Sequence, residues 1–391
     1  MEEYLRICED CGASFFTDGE QAFYESKNLT LPKRCQKCRT ARKQAWEQEQ
    51  KAKKQEEQVE LFKQALTAAP FKSMSLDNFP TGDLLATLNI IGNGFDLMHG
   101  VKSSYYNFSD TLGKNNSLRF VLETYLNVED LWADFEDALA HINSDAMFGV
   151  VDMWLDNFDA YDPDAQAADF FAAVDASTGP AQTITQDLQR RFRMWVESLK
   201  VPDMAYRPLN GVIRNSKTLN FNYTEFIENL YSVDKENICY IHGCRRKEKY
   251  HPKDKLILGH VPGAGDDDLV GDFGLPKYKS SRKRAMVEAA IDTTARNLFW
   301  YDEETTKNCK DIIKNHQEFF NELSDVSRII VVGHSLSPVD WDYFKKIFSV
   351  NKNKNNIEWY ISYHSARNIE SIKIFADAIG IKVEQITLFA T

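Results

Sequence analysis

No apolar run in these 391 residues is longer than a strand, whereas a helix needs ~20 apolar residues to cross a bilayer. The opening MEEYLRICEDC has no signal-peptide core, so the expected setting is cytoplasmic, without a membrane partner. There is no surplus of positive charge either. A formal charge of −11 excludes a chain given over to wrapping nucleic acid and leaves room only for a local basic patch. The carboxylate cluster of a two-metal nuclease is missing; Asp266, Asp267 and Asp268 stand together but read as a solvated loop. No internal repeat is found. What is present is a 43% hydrophobic chain long enough for two or three domains.

Four of the seven cysteines fall in the first 38 residues. Cys8, Cys11, Cys35 and Cys38 form two CxxC pairs, which can set four thiolates tetrahedrally around zinc and so supply the folding free energy that a small segment lacks. Residues 1–40 therefore read as a structural zinc site with four cysteine ligands. They resemble a family of small zinc ribbons through Gly19-Glu20-Gln21, Phe23-Tyr24, Pro32 and Arg34-Cys35. Residues 41–83 read as a charged, solvated helix and a Pro/Gly-punctuated linker. Lysine and arginine are frequent from Lys33 to Lys54. The ribbon and basic helix could meet a nucleic acid or a protein partner, or drive homo-oligomer formation; a plain exposed connector helix explains them as well.

From residue 84 to 391 the pattern runs from strand to helices and back to strands. It predicts a doubly wound, Rossmann-like parallel α/β sheet with a helical insertion over about 117–200. Within the insertion, PDAQAADFFAAVDASTGP reads as an acidic, mobile surface segment. Four stretches share one design of apolar strand followed by polar residues: IIGNGFD, LNFNYTEFIENLY, CYIHG and IIVVGHSLSPVDWDYF. In a parallel sheet, strand ends of this kind gather along the carboxyl edge, where ligands bind.

Each stretch has its own chemistry. Gly92 and Gly94 would let a backbone approach a pyrophosphate, with Asn93 and Asp96 beside them, yet Leu97 replaces the third glycine of GxGxxG. On this stretch alone a phosphate cradle and a tight turn both stand. Asn222 can cap the following helix or orient a water or a ribose hydroxyl. His242, at a strand end, is suited to take a proton near neutral pH. Gly333 permits a tight turn, His334 and Ser335 follow it, and Asp340 sits where a helix begins. G-H-S-L is not a serine-hydrolase elbow, because Ser337 occupies the place of the second glycine.

As a set and in this order, G-N-G-F-D, F-N-Y-T, I-H-G and G-H-S-L-x-x-x-D resemble the bacterial abortive-infection AbiH family of phage-defence proteins. Ser104-Tyr105, Trp132-x-x-Phe135-Glu136 and Phe344-Lys345-Lys346-Ile347-Phe348 fit it too. The motif order is also similar to sirtuin-like domains that bind and hydrolyse NAD. That resemblance implies a sirtuin-like site in which Asn222 and His242 are catalytic and Gly92, Asn93, Gly94, Asp96, Gly333, His334 and Ser335 contact a nucleotide, with NAD as substrate of a glycohydrolase. Phe221 and Thr224 depart from the T-N-Y-D pattern, and loss of its aspartate bears directly on hydrolysis. A nucleic-acid sensor or nuclease, and a non-catalytic nucleotide-binding module, are the competing expectations.

Overall fold

The computed structural model describes residues 6–15, 32–45, 71–79, 86–155, 168–205, 216–246, 256–263 and 281–391, with isolated positions between them. Two compact units, Met1–Ala69 and Pro70–Thr391, divide the chain.

In the first unit, β1 (Arg6–Ile7) pairs antiparallel with β2 (Ser14–Phe15). The turn between them carries Cys8 and Cys11 and closes through Gly12, whose φ of 67° suits a residue without a Cβ. A helix over 36–45 begins directly after Cys35. Arg34 pairs with Asp10 at 2.9 Å and Glu9 at 3.2 Å, and Arg42 with Asp10 at 3.1 Å. Two cations of the expected basic patch are thus matched within the unit. The basic helix beyond residue 45 and the Asp266–Asp268 loop lie outside the described residues, apart from single positions.

The second unit is built on seven parallel strands in the order β3-β9-β8-β7-β4-β5-β6, flanked by helices. The strands are β3 (Lys72–Met74), β4 (Thr87–Ile91), β5 (Lys217–Asn220), β6 (Ile238–Tyr240), β7 (Arg328–Val332), β8 (Glu358–Tyr363) and β9 (Ile386–Ala390). Every side chain of β4 is buried, Thr87 and Asn89 included, as is β7 after Arg328; a parallel strand covered on both faces is buried along its length and mostly apolar. The expected doubly wound sheet is therefore present. β3 comes from the stretch read as linker, and Phe79 just after it packs edge-on against Phe389 at 5.1 Å.

β4 is followed in sequence by β5 on one side, while β7 lies on its other side. The chain reverses direction there, which makes the gap beyond β4 and β7 the switch point of the sheet. The ends are level: Ile91 pairs with both Val332 and Asn220, and Asn220 with Tyr240. All four strand-end motifs leave the sheet from one register line.

The helices Ser117–Tyr125, Ser144–Leu155 and Ala168–Ser198 lie between β4 and β5 in the chain, and Ser281–Thr305 from later in the chain packs with the last two. The segment expected to be acidic and mobile is corrected from Ala168 onward. It is helical, with Ala173, Ser177 and Thr178 buried, and Ser177 Oγ lies 2.8 Å from Thr294 Oγ1 on the Ser281–Thr305 helix. Small residues allow that close helix contact, and the same smallness made the segment look featureless. Phe108, Trp132, Phe135, Phe192 and Trp195 form the aromatic heart of this bundle. Arg245 fixes it to the sheet edge: its guanidinium donates to both Glu225 oxygens at 2.7 and 2.8 Å and to the Val196 carbonyl at 3.1 Å. Among the described residues no helix is long and apolar enough to cross a membrane.

Candidate functional site at the carboxyl edge of the sheet

Gly92, Gly94 and Gly333 pack the first and last of these loops against each other. A Cβ on Gly92 would stand 2.5 Å from His334 Cα, one on Gly94 2.6 Å from Gly333 Cα, and one on Gly333 2.1 Å from the Phe95 nitrogen. Gly333 also has φ at 66°. Gly94 N–H donates to the Gly333 carbonyl at 2.7 Å. The closest approach these glycines permit is of one loop to the other, so the tight-turn reading describes their contacts. Asn93 donates to the Ser103 carbonyl at 2.9 Å. Ser335 is exposed, and Leu336 beside it is held in the left-handed region at φ 58°, a strained conformation for a bulky side chain.

The FNYT loop is shaped by Asn220, whose Oδ1 accepts from Asn222 N–H at 2.9 Å and whose amide donates to the Thr224 carbonyl at 3.2 Å. That turn aims two donors at one carboxylate. Asn222 Nδ2 donates to Asp96 Oδ1 at 2.9 Å and Thr224 Oγ1 to Asp96 Oδ2 at 2.7 Å. The aspartate of GNGFD thus meets both polar side chains of the FNYT loop in space. Burial pushes the Asp96 carboxyl up from 3.8 to about 7, against the opposing pull of the Thr224 and Asn222 donors.

This has a measurable consequence. Since the folded state holds the Asp96 proton more tightly than the unfolded chain, the contribution to stability is full below pH ~4 and is lost as pH rises through about 7. Asp96→Asn keeps the shape and removes the buried charge. Denaturant unfolding at pH 8 should show the variant more stable than the parent by on the order of 2–4 kcal/mol, with the gap closing near pH 4. Parallel pH profiles for the two proteins would contradict it.

Beside this pair lies a second buried cluster. Asp340 Oδ2 is 3.3 Å from His334 Nε2, and its Oδ1 is 3.5 Å from His242 Nε2 and 3.3 Å from Lys307 Nζ. Lys307 also bonds Glu136, whose other oxygen accepts from Tyr105 Oη at 2.8 Å. His334 Nδ1 accepts from Leu336 N–H at 2.9 Å, which puts the ring proton on Nε2, facing Asp340. His242 Nε2 is buried without a hydrogen-bond partner in this arrangement. At 3.5 Å its approach to Asp340 is electrostatic contact without bond geometry.

The protonation pattern follows from burial and one cation. Burial would raise Asp340, but the Lys307 charge and the His334 hydrogen bond overcome it and hold the carboxyl well below its usual range. Burial raises Glu136, and Lys307 offsets only part of the rise. Burial, reinforced by Lys307, keeps His242 well below the ordinary histidine value although Asp340 pulls the other way. A bare imidazole nitrogen beside a fixed carboxylate is an arrangement that can accept a proton.

Both clusters open into one cavity of about 700 Å³, lined by all four motifs and walled by Trp132, Phe135, Phe192 and Trp195 of the bundle. Asn222, His242, Gly92, Asn93, Gly94, Asp96, Gly333, His334 and Ser335 all line it. So do Glu136 and Asp340, neither of which the sequence pointed to as a site residue. Lys307 was missed altogether; it sits in the polar run TTKNCK, and only its complete burial reveals it. His99 has turned away, with Nδ1 donating to the Phe95 carbonyl at 2.7 Å and Nε2 accepting from Tyr231 at 3.0 Å.

In the N-terminal unit the sulfurs of Cys8, Cys11, Cys35 and Cys38 all lie within 4.8 Å of one another. Four thiolates so grouped fit tetrahedral zinc of the closed, structural type.

Sheet order, switch-point cavity and cysteine cluster together define a parallel α/β protein with a ligand-sized site at its carboxyl edge and a separate metal-binding head. Residues 88–363 match the family described as Bacteriophage abortive infection AbiH, and the chain belongs to that family. Residues 4–47 match a second family, described as Probable treble clef domain. A hairpin knuckle followed by a cysteine pair at a helix start agrees with that description and refines the expected ribbon. No curated protein and no solved structure matches the chain significantly.

Proposed function

We propose that this abortive-infection protein acts by hydrolysing the N-glycosidic bond of a nucleotide, most concretely NAD, in the switch-point cavity. The observation that carries the reading is the meeting of Asn222 and His242, from two adjacent strand ends, in one aromatic-walled cavity, with the His242 nitrogen bare.

Cleavage of a ribose–nitrogen bond passes through an oxocarbenium-like state. Water attacks the anomeric carbon, the bonding pair leaves with the ring nitrogen, and the water proton goes to His242 Nε2. Asp96 holds the amide nitrogen of Asn222, so its oxygen is the group that orients the water or a ribose hydroxyl. The carboxylate of Asp340 favours the developing positive charge. No lysine or arginine is among the described residues lining the cavity, which favours recognition through the ribose and ring more than through the diphosphate. This reading also supplies the sirtuin-like comparison with its missing carboxylate, through Asp96.

Purified full-length protein incubated with NAD, alone and with phage-infected lysate, should release nicotinamide. His242→Ala and Asn222→Ala should lower turnover by ~10²–10⁴-fold. Absence of turnover under every trigger, or unchanged turnover in both variants, would sink the proposal. Phage protection retained by both would point instead to a non-catalytic binding module.

A further inference from the structure

Lys307 lies in none of the four motifs, yet its side chain is fully buried behind the cavity, against Glu136 and Asp340, which line it. It follows the Ser281–Thr305 helix, and its backbone N–H donates to the His260 carbonyl at 2.8 Å while His260 N–H donates to the Thr305 carbonyl at 2.9 Å. Gly259 is pressed against the same turn: a Cβ there would stand 2.0 Å from the Thr305 oxygen. The backbone carrying Lys307 is therefore pinned on both sides. Its ammonium is clasped by Glu136, from the bundle, and Asp340, from the end of the sheet, at 3.3 Å in the second case.

Charge counting gives this arrangement its meaning. One cation faces two carboxyl groups, and His334 directs its Nε2 proton at Asp340. The other groups around His242 are the rings of Phe221, Tyr223 and Tyr343. Burial raises both phenols far from ionisation. The Phe221 backbone carbonyl favours a proton on the His242 ring, as does Asp340. Among the described residues around His242, Lys307 and, to a smaller extent, His334 act against them.

We infer that Lys307 is the positioning residue of the cavity: it fixes Asp340 as an anion beneath His242 and keeps His242 free of a proton, ready to accept one. This inference rests on the reading of His242 as a base. A lysine that merely joined bundle to sheet would hold the same elements together and leave the ionisation of His242 unchanged when its charge was removed in a folded variant.

The test is a titration of the full-length protein with ¹³C-labelled histidine, followed by NMR, the His242 signal being assigned by its loss in His242→Gln. In the parent chain His242 should titrate below the range of the exposed histidines. In Lys307→Met its titration should move up by about one pH unit or more, whereas Lys307→Arg, which keeps the charge, should leave it low. Should Lys307→Met fail to fold, the pair Lys307→Met with Glu136→Gln removes one charge of each sign and must show the same rise. An unmoved His242 in a folded variant overturns the inference. With NAD as substrate, the acid limb of the pH–rate profile should rise in parallel with the NMR titration. Absence of NAD turnover in the parent strikes at the proposed reaction and leaves the NMR result to decide on Lys307. Turnover with an unmoved His242 strikes at Lys307 alone.

Discussion

Chelating zinc from the full-length protein is expected to unfold residues 4–47 while the sheet-bearing unit from Pro70 to Thr391 stays folded. Among the described residues of the first unit Cys8 is the one buried side chain, so apolar burial among them contributes little to holding that unit together. Structural zinc in small domains binds with ~10–16 kcal/mol at neutral pH, and that binding energy is folding energy. Elemental analysis should find one zinc per chain, and Cys35→Ser should lower that content sharply. Hydrogen exchange should then show protection lost over β1, β2 and the helix at 36–45, and retained in β4 and β7. Protection unchanged after complete metal removal would mean that the unit folds by other means. The backbone N–H of Cys35 lies 3.3 Å from the Cys8 sulfur, which lets the second cysteine pair steady the first even before the metal is counted.

How much of this molecule could be read in its sequence depended on how far apart the cooperating residues stand. The strand-end motifs were legible because each is a local event: an apolar run buries itself, and the next residues must turn. Their convergence followed from the rule that parallel strands share one carboxyl edge. β3 was not legible, because three residues among FKSMSLDNFP carry no period and gain their place only by pairing with β9, more than 300 positions away. The Asp96–Asn222–Thr224 contact was not legible because its partners stand 126 and 128 positions apart, and neither GNGFD nor FNYT alone shows where its polar side chains end up. Of the cluster of Glu136, Lys307 and Asp340, the sequence marked Glu136 and Asp340 only as members of separate motifs, and Lys307 not at all. The cluster draws one residue from the bundle, one from a polar turn and one from a short helix, and Lys307 resembles any solvated lysine until its burial is known.

The two carboxylates at the floor of the cavity are treated differently by the fold. Asp96 receives only neutral donors, so burial dominates and its charge is costly near neutral pH. Asp340 receives a full cation, and its charge is secure. Environments that push two carboxyls apart in this way are how one site comes to hold both a protonated and an ionised group at the same pH.

Replacing Lys307 by methionine should cost ~3–5 kcal/mol of stability, the usual penalty for breaking a buried ion pair by removing one partner. The methionine fills nearly the same space, so the loss comes from charge: Glu136 and Asp340 are left facing each other with no cation between them. Glu136, already raised by burial, should then take up a proton, and the destabilisation should shrink as pH falls. Glu136→Gln placed in the same chain supplies a neutral group in advance and should recover part of the loss at pH 8, where Glu136 would otherwise stay charged or bind its proton against the solution pH. Denaturant unfolding of the single and double variants at pH 5 and pH 8, read by tryptophan fluorescence of the bundle, measures the coupling as a double-mutant cycle. A Lys307→Met loss that is equally large at both pH values, with no recovery from Glu136→Gln, would mean that the lysine contributes through packing of its stem. The expected coupling instead makes the site's charge balance and the docking of bundle on sheet a single property, carried by one side chain.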